Sequence, residues 1–227
     1  MAIRILIVDD EPQIIRFLKP ALSASGYDII VAQNGGEALK IAASQSPDLV
    51  LLDLGLPDVD GKDVIRQLRE WSTVPILVLS ARDREAEKIE ALDLGADDYI
   101  NKPFGIGELM ARLRTGLRHA SRDQKNETHF KCGPLTIDIP AHTAVVDGKP
   151  VKLTPKEFEL LVILVRNAGL VVTHRQILLA VWGPAHTEDL QYLRVFIGQL
   201  RQKLKENADA PDLIQTEPGI GYRLVAE

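Results

Sequence analysis

The chain has 227 residues, 45% hydrophobic and 26% charged, with a formal net charge of −5, the composition of a globular protein with room for two cores. Its one cysteine, Cys132, excludes an internal disulfide and a thiolate zinc cluster. No apolar run is long enough to span a bilayer, and the start turns acidic at Asp9 too soon for a secretory signal, so a cytoplasmic protein with no membrane partner is expected.

The acidic excess lies in residues 1–120, which carry 14 Lys and Arg against 19 Asp and Glu, while residues 121–227 carry 13 of each. Blanket attraction to nucleic acid is excluded; DNA contact in the second half requires a local patch.

Residues 1–119 alternate between two patterns. Strand-like runs occur at Ile3–Val8, Asp28–Ala32, Leu49–Asp53, Pro75–Ser80 and Asp98–Ile100. Between and after them, apolar residues recur at helical spacing, as in Ile14-Phe17-Leu18-Ala21-Leu22 and Val64-Ile65-Leu68. Five strands alternating with five helices predict an α/β doubly wound, five-stranded parallel sheet, flavodoxin-like, with right-handed crossovers.

Residues 120–129 lack periodicity and apolar content and are expected to be a flexible linker. From 130 to 227 the pattern is that of an α+β domain. Phe130 to Val151 holds short strand-like pieces broken by Gly133-Pro134, Pro140 and Asp147-Gly148, which suggests a small antiparallel sheet. Thr154-Pro155-Lys156-Glu157 and Thr173-His174-Arg175-Gln176 are capping boxes that open two helices. Gly183-Pro184 ends the second, and Thr187 is expected to cap a longer helix from Glu188 to about Lys205. A hairpin from Leu213–Thr216 to Tyr222–Leu224 follows. Helix, helix, long helix and hairpin is the order of a winged helix-turn-helix.

Chemistry concentrates at the ends of the first-half strands. The short-connection rules bring Asp9, Asp10 and Asp53 to one crevice, with Ser80 and Lys102 beside them. A purely oxygen donor set selects Mg²⁺ or Mn²⁺ over zinc. A carboxylate nucleophile, a cation site, a hydroxyl and an amine form a phosphoryl-transfer site. Taken singly, Asp9-Asp10-Glu11-Pro12 reads as a helix cap, Ser80 as an ordinary strand-end serine and Lys102-Pro103 as a surface turn; their joint placement favours the site.

These residues, with Leu56-Pro57, Gly61, Ser80-Ala81, Gly95-Ala96-Asp97-Asp98-Tyr99 and Lys102-Pro103-Phe104, make the first half resemble the receiver domain of two-component response regulators. The resemblance implies that Asp53 accepts a phosphoryl group from a sensor histidine kinase. It implies that Asp9, Asp10, Asp53 and the Gly55 carbonyl hold the metal. Ser80 and Tyr99 would be the switch pair, and Lys102 would pair with the phosphate, its bond to Pro103 cis. A haloacid-dehalogenase-like phosphatase is the enzymatic alternative, but Gly55 stands where such enzymes carry a second acid. In similar receivers the side chain at the Gly55 position helps orient or exclude the attacking water; glycine offers no group for that, which predicts slow self-dephosphorylation, and the resemblance puts Arg82 near the water path as well.

Lys88, Asp97, Asp98, Glu108, Arg112 and Arg118 form a charged set around the last helices of this half. Its plain reading is a solvated face. It also resembles the face through which receivers with winged-helix outputs form phosphorylation-favoured homodimers, pairing Lys88 with Glu108 and Asp97 or Asp98 with Arg112 or Arg118 across subunits.

In the long helix, Leu193, Ile197, Leu200 and Leu204 are expected to face the core, leaving Arg194, Arg201, Lys203 and Lys205 outside. Gln191, Gln199 and Gln202 add amides that read adenine or bind phosphate, Arg223 of the hairpin suits the minor groove or backbone, and Arg175 reaches phosphate. Leu153–Phe158, Val181-Trp182-Gly183 and Gly219–Arg223 resemble the effector domain of OmpR/PhoB-type regulators. A narrower likeness, to the branch controlling potassium-uptake operons, rests on Leu54–Asp58, Trp71-Ser72, Lys102–Glu108 and Tyr192-Leu193-Arg194 with Gly198 and Leu200-Arg201-Gln202-Lys203-Leu204. Promoter DNA and RNA polymerase are the partners implied. Gly198 reads either as close approach to DNA or as close packing. A protein-binding winged helix is the remaining alternative.

Overall fold

The computed structural model describes residues 2–81, 85–121, 128–205 and 212–225. Arg82 and residues 122–127 of the expected linker lie outside the described residues. The chain divides into two compact units, Met1–Arg122 and Asp123–Glu227.

In the first unit the elements alternate as β1 (Arg4–Val8), α1 (Pro12–Ala24), β2 (Asp28–Ala32), α2 (Gly35–Gln45), β3 (Leu49–Asp53), α3 (Gly61–Arg69), β4 (Ile76–Ala81), α4 (Glu85–Asp93), β5 (Asp98–Lys102) and α5 (Ile106–Ser121). The strands form one parallel sheet in the order β2-β1-β3-β4-β5. Its strands are apolar on both faces because helices cover both. Ile5, Ile7, Leu49, Leu51, Leu77 and Leu79 pack with Leu18, Leu22, Leu109 and Leu113 of α1 and α5. The alternate residues Leu6, Val8, Val50, Leu52 and Val78 are equally buried. Strand order reverses between β1 and β3, and the register Val8↔Leu52 sets the next residues, Asp9 and Asp53, side by side at the carboxyl edge.

β1 starts one residue later than expected and β4 is shifted by one, and two boundaries differ by two residues. β5 runs on through Asn101 and Lys102, polar residues that break the apolar pattern but continue the ladder against Ser80 and Ala81. The last helix extends to Ser121, two residues into the stretch expected as linker.

The second unit opens with an antiparallel sheet of β6 (His129–Cys132), β7 (Leu135–Asp138), β8 (Thr143–Val146) and β9 (Lys149–Val151). Three helices follow: α6 (Pro155–Arg166), α7 (His174–Trp182) and α8 (Leu190–Leu204). A three-stranded sheet joins β10 (Val171–Thr173) to the hairpin β11 (Ile214–Glu217) and β12 (Gly221–Leu224) in the order β10-β12-β11, completing a winged helix. Both capping boxes form, at Thr154 with Glu157 and at Thr173 with Gln176. Thr187 is not the cap of the long helix: it closes a 3₁₀ turn over Pro184–His186, and α8 starts at Leu190 behind Asp189, whose carboxylate bonds His186 Nδ1 at 2.7 Å instead. The core gathers Phe158, Leu161 and Leu164 of α6, Ile177, Leu178 and Val181 of α7, the Leu193-Ile197-Leu200-Leu204 stripe of α8, and Tyr222 of the hairpin.

Candidate functional site

The acidic crevice forms at the carboxyl edge of the first unit's sheet. Asp9, directly after β1, is fully buried; Asp53, the last residue of β3, is half-buried; Asp10 is exposed. One oxygen from each of the three lies within 4.8 Å of the others. Lys102 at the end of β5 places its ammonium 2.9 Å from Asp53 Oδ1, 3.2 Å from Asp9 Oδ2 and 3.3 Å from Glu11 Oε1. The Glu11 N–H donates to Asp9 Oδ1 at 2.8 Å and the Gly55 N–H to Asp53 Oδ2 at 3.2 Å. A cleft of about 170 Å³ opens beside them, lined by Glu11, Asp53, Gly55, Ser80, Glu87 and Lys102. Glu11 and Glu87 are the residues that sequence reasoning missed. Glu11, next to the aspartate pair, carried a signal; Glu87, inside a helix-period segment, carried none.

Burial pushes the Asp9 carboxyl above the ordinary carboxylate range, against the pull of the Glu11 amide and Lys102. Burial also disfavours the Lys102 ammonium, but its bonds to Asp53 and Asp9 outweigh that and raise it. Among the described residues, three clustered carboxylates with one close ammonium leave negative charge uncompensated, and the donors are all oxygen. The residues therefore fit a hard divalent cation.

Ser80, in β4, is buried and pairs in register with Asn101; Tyr99, two residues before Asn101, lies on the same face of β5 and is buried as well. Lys88 of α4 is buried with its ammonium 5.4 Å from the centre of the Tyr99 ring. Arg112 of α5 bridges Asp98 at 2.8 Å and Glu108 at 3.0 Å within the same chain. The Arg118 guanidinium lies 3.5 Å from Thr115 Oγ1. Asp97 departs from the expected charged face: its Oδ2 accepts from Arg69 at 2.9 Å and from the Ile76 N–H at 2.7 Å, fixing the turn before β5 to the start of β4. The Lys102–Pro103 peptide is cis.

On the second unit, Arg175, Gln191, Arg194 and Gln199 are exposed, together with Tyr192 and Val195. Three other residues of the expected DNA set do not project freely. Arg201 donates to the Ile214 carbonyl at 2.7 and 2.9 Å and to Thr216 Oγ1 at 2.8 Å, clamping α8 to the hairpin. Lys203 pairs at 2.6 Å with the buried Glu157 carboxylate. Arg223 is buried and bonded to Glu217 and to the Gly169 carbonyl. Each lies off the apolar stripe or on a hairpin, a placement that reads as outward, yet each meets an acceptor from another element. A Cβ on Gly198 would meet nothing within 4 Å, so close packing does not explain that glycine.

Comparison with known proteins agrees with this architecture. Residues 5–114 match the family described as response regulator receiver domain, and residues 148–224 the family described as transcriptional regulatory protein, C terminal. The chain is 50% identical to the KDP operon transcriptional regulatory protein KdpE of Escherichia coli K12, across 97% of this chain and 98% of that protein. It is 44% identical to the transcriptional regulatory protein KdpE of Mycobacterium tuberculosis, across 98% and 99% of the two chains. The crystal structure of response regulator DrrB from Thermotoga maritima, an OmpR/PhoB homolog, superposes with a TM-score of 0.52 at 27% identity over the full length of both chains.

Proposed function

The chain belongs to the two-component response regulators of OmpR/PhoB type, and from that membership we propose that a phosphoryl group received on Asp53 from a sensor histidine kinase drives dimerisation and promoter binding. The observation that carries this reading is the approach of Asp9, Asp10 and Asp53 to within 4.8 Å of one another under the Lys102 ammonium. An Asp53 carboxylate oxygen attacks the phosphorus of a phosphohistidine; the P–N bond breaks, and the imidazole departs with its electron pair and takes up a proton. Asp9, Asp10, Asp53 and the Gly55 carbonyl would hold Mg²⁺ or Mn²⁺, which neutralises charge on the phosphoryl oxygens. Lys102 exchanges its carboxylate partners for a phosphoryl oxygen, and the Ser80 hydroxyl donates to another. Tyr99, on the Ser80 side of the sheet, follows that movement.

The output is transcriptional rather than a turnover reaction. Tyr99 is covered by Lys88, so a shift of the ring frees or holds a charge on the face that also carries Asp98, Glu108, Arg112 and Arg118. Two effector domains joined through that face gain avidity on tandem half-sites. Gln191, Arg194 and Gln199 of α8 are the exposed residues suited to base edges and backbone, and Arg175 to phosphate. Identity of 50% to a KDP operon transcriptional regulatory protein and of 44% to a second KdpE supports a Kdp-type potassium-uptake operon as target and a KdpD-like kinase as phosphoryl donor. RNA polymerase would be the downstream partner of such a regulator. No helix among the described residues is long and apolar enough to cross a membrane. Membership of this regulator family supports a cytoplasmic location.

Intact mass after incubation with acetyl phosphate and Mg²⁺ tests the reading. One phosphoryl adduct on wild type and none on Asp53→Asn is the expected result. An adduct on both proteins, or on neither, would overturn Asp53 as acceptor.

A further inference from the structure

The loop between β3 and α3 is tied to α2 through Asp58, a residue that neither the acidic crevice nor the exposed face of α8 uses. The Asp58 carboxylate reaches the first turn of α2, where Oδ1 accepts the Gly35 N–H at 2.8 Å and Oδ2 the Gly36 N–H at 2.9 Å. Asn34 Oδ1 takes the next free amide, that of Glu37, also at 2.8 Å. Two side chains thus satisfy three of the open amides of this helix end, one local and one from a loop far away in sequence. The amides of Gly36 and Gly35 hold the Asp58 carboxyl below its ordinary range, so it is a full anion at the positive end of the helix.

The seat is close-fitting. A Cβ on Gly35 would lie 2.4 Å from Val59 Cγ2 and 2.7 Å from Val64 Cγ2, so a side chain there would lift the loop away. The base of the same loop is closed by the Gly61 N–H on the Leu54 carbonyl at 3.0 Å. A Cβ on Gly61 would stand 2.6 Å from Leu54 Cα. Between the closed base and the Asp58 anchor runs Gly55, whose N–H bonds Asp53 Oδ2.

We propose that Asp58 is a positioning residue for the divalent-cation site: by pinning the loop to α2 it fixes the Gly55 backbone beside Asp53 and sets the affinity of the crevice for Mg²⁺. This inference rests on the cation site proposed above. Without the anchor, the loop is ordered only when the cation binds, and the entropy of that ordering is subtracted from affinity. Groups that hold a metal's ligands in place without touching the metal typically change its affinity by roughly 10–100-fold when removed.

Calorimetric titration of the full-length protein with MgCl₂ tests it, on wild type, Asp58→Ala and Asp58→Asn. Asp58→Ala is expected to weaken Mg²⁺ binding about tenfold, the lower end of such effects. Asp58→Asn loses less, since its amide oxygen still accepts one of the two N–H groups. Phosphorylation by acetyl phosphate slows at low Mg²⁺ and returns to the wild-type rate at saturating Mg²⁺, as expected when positioning and not chemistry is lost. A purely structural role predicts a lower melting temperature without Mg²⁺ and unchanged Mg²⁺ affinity; that result would overturn the proposal. If Asp58→Ala does not fold, Asp58→Asn decides by the same comparison. Wild-type protein that binds no Mg²⁺ would overturn the cation site itself, and this inference with it.

Discussion

Lys102 Nζ stands 2.9 Å from Asp53 Oδ1 and 3.2 Å from Asp9 Oδ2, so a single ammonium bridges the proposed phosphoacceptor and the most buried acid of the crevice. The bridge exists because β1, β3 and β5 end at one edge, with Lys102 carried there by two residues of strand beyond the apolar run. The ammonium offsets carboxylate repulsion, and in the proposed phosphoryl transfer it would stand beside the oxygen that attacks phosphorus.

Lys102→Ala is accordingly expected to slow phosphorylation by acetyl phosphate about a hundredfold at saturating Mg²⁺, the scale seen when one positioned donor is removed from a developing anion. Lys102→Arg should recover only part of this, because a planar guanidinium cannot meet three carboxylates as a point charge does. Adduct formation followed by mass against time measures both. A rate within twofold of wild type in Lys102→Ala would remove the residue from the chemistry.

Gly55 predicts a long-lived phosphoprotein. Its Cβ position meets only Asp53 Oδ2, at 3.4 Å, so a side chain can be added there without collision. Gly55→Asn supplies an amide beside the acyl phosphate and is expected to speed hydrolysis by up to about a hundredfold, the low end of what a positioned polar group contributes. Loss of the adduct after removal of acetyl phosphate gives the rate. A wild-type half-life of seconds, or no acceleration in the variant, would mean that this position does not control the water.

The Glu157–Lys203 pair makes the second unit acid-sensitive. Burial works to raise the Glu157 carboxyl, but the Lys203 ammonium and the Thr154 amide outweigh it and hold it below the ordinary range. In the unfolded chain the group titrates at about pH 4.3. Its contribution is therefore fully present above that pH and is lost as the pH falls through the lower folded value. Glu157→Gln should lower stability at neutral pH by about 1–2 kcal/mol, a figure discounted because Lys203 is partly exposed, and should flatten stability between neutral pH and the acid limb. Thermal unfolding from pH 7 to pH 3 checks this; parallel acid limbs in the two proteins would assign the acid sensitivity elsewhere.

The positions of Asp9, Asp53 and Lys102 were legible in the sequence because each closes or follows an apolar run, and strand order alone brings such residues together. The roles of Arg201, Arg223 and Asp97 were not. A charged residue off an apolar stripe looks solvated, and nothing local reveals that the Ile214 or Gly169 carbonyl, or the Ile76 amide, will lie beside it after folding. Thr187 misled for a related reason: threonine before an acidic residue reads as a cap, yet Pro184 starts a 3₁₀ turn that defers the helix to Leu190. Asp58 had the same ambiguity, since a loop aspartate gives no sign of which distant helix it will cap.

Arg194 and Arg201 lie on the same helix and should fail in different ways. Arg194 is exposed and off the apolar stripe of α8, so its loss removes the proposed DNA contact and leaves the core packing in place. Arg194→Ala is expected to leave the melting temperature unchanged, to weaken promoter binding, and to lower the slope of log affinity against log salt by about 1. Arg201 makes three hydrogen bonds to the hairpin and stacks 5.8 Å from the Tyr222 ring. Arg201→Ala leaves the Ile214 carbonyl without its charged donor and should cost about 1.5–3 kcal/mol of stability. It also loosens the hairpin relative to α8, so the DNA affinity it loses should return in part on cooling, as the hairpin re-docks, whereas that of Arg194→Ala should not. Calorimetry beside DNA titrations at several salt concentrations separates the two. Salt-independent binding by the wild type would favour a protein partner for this winged helix over the phosphate backbone.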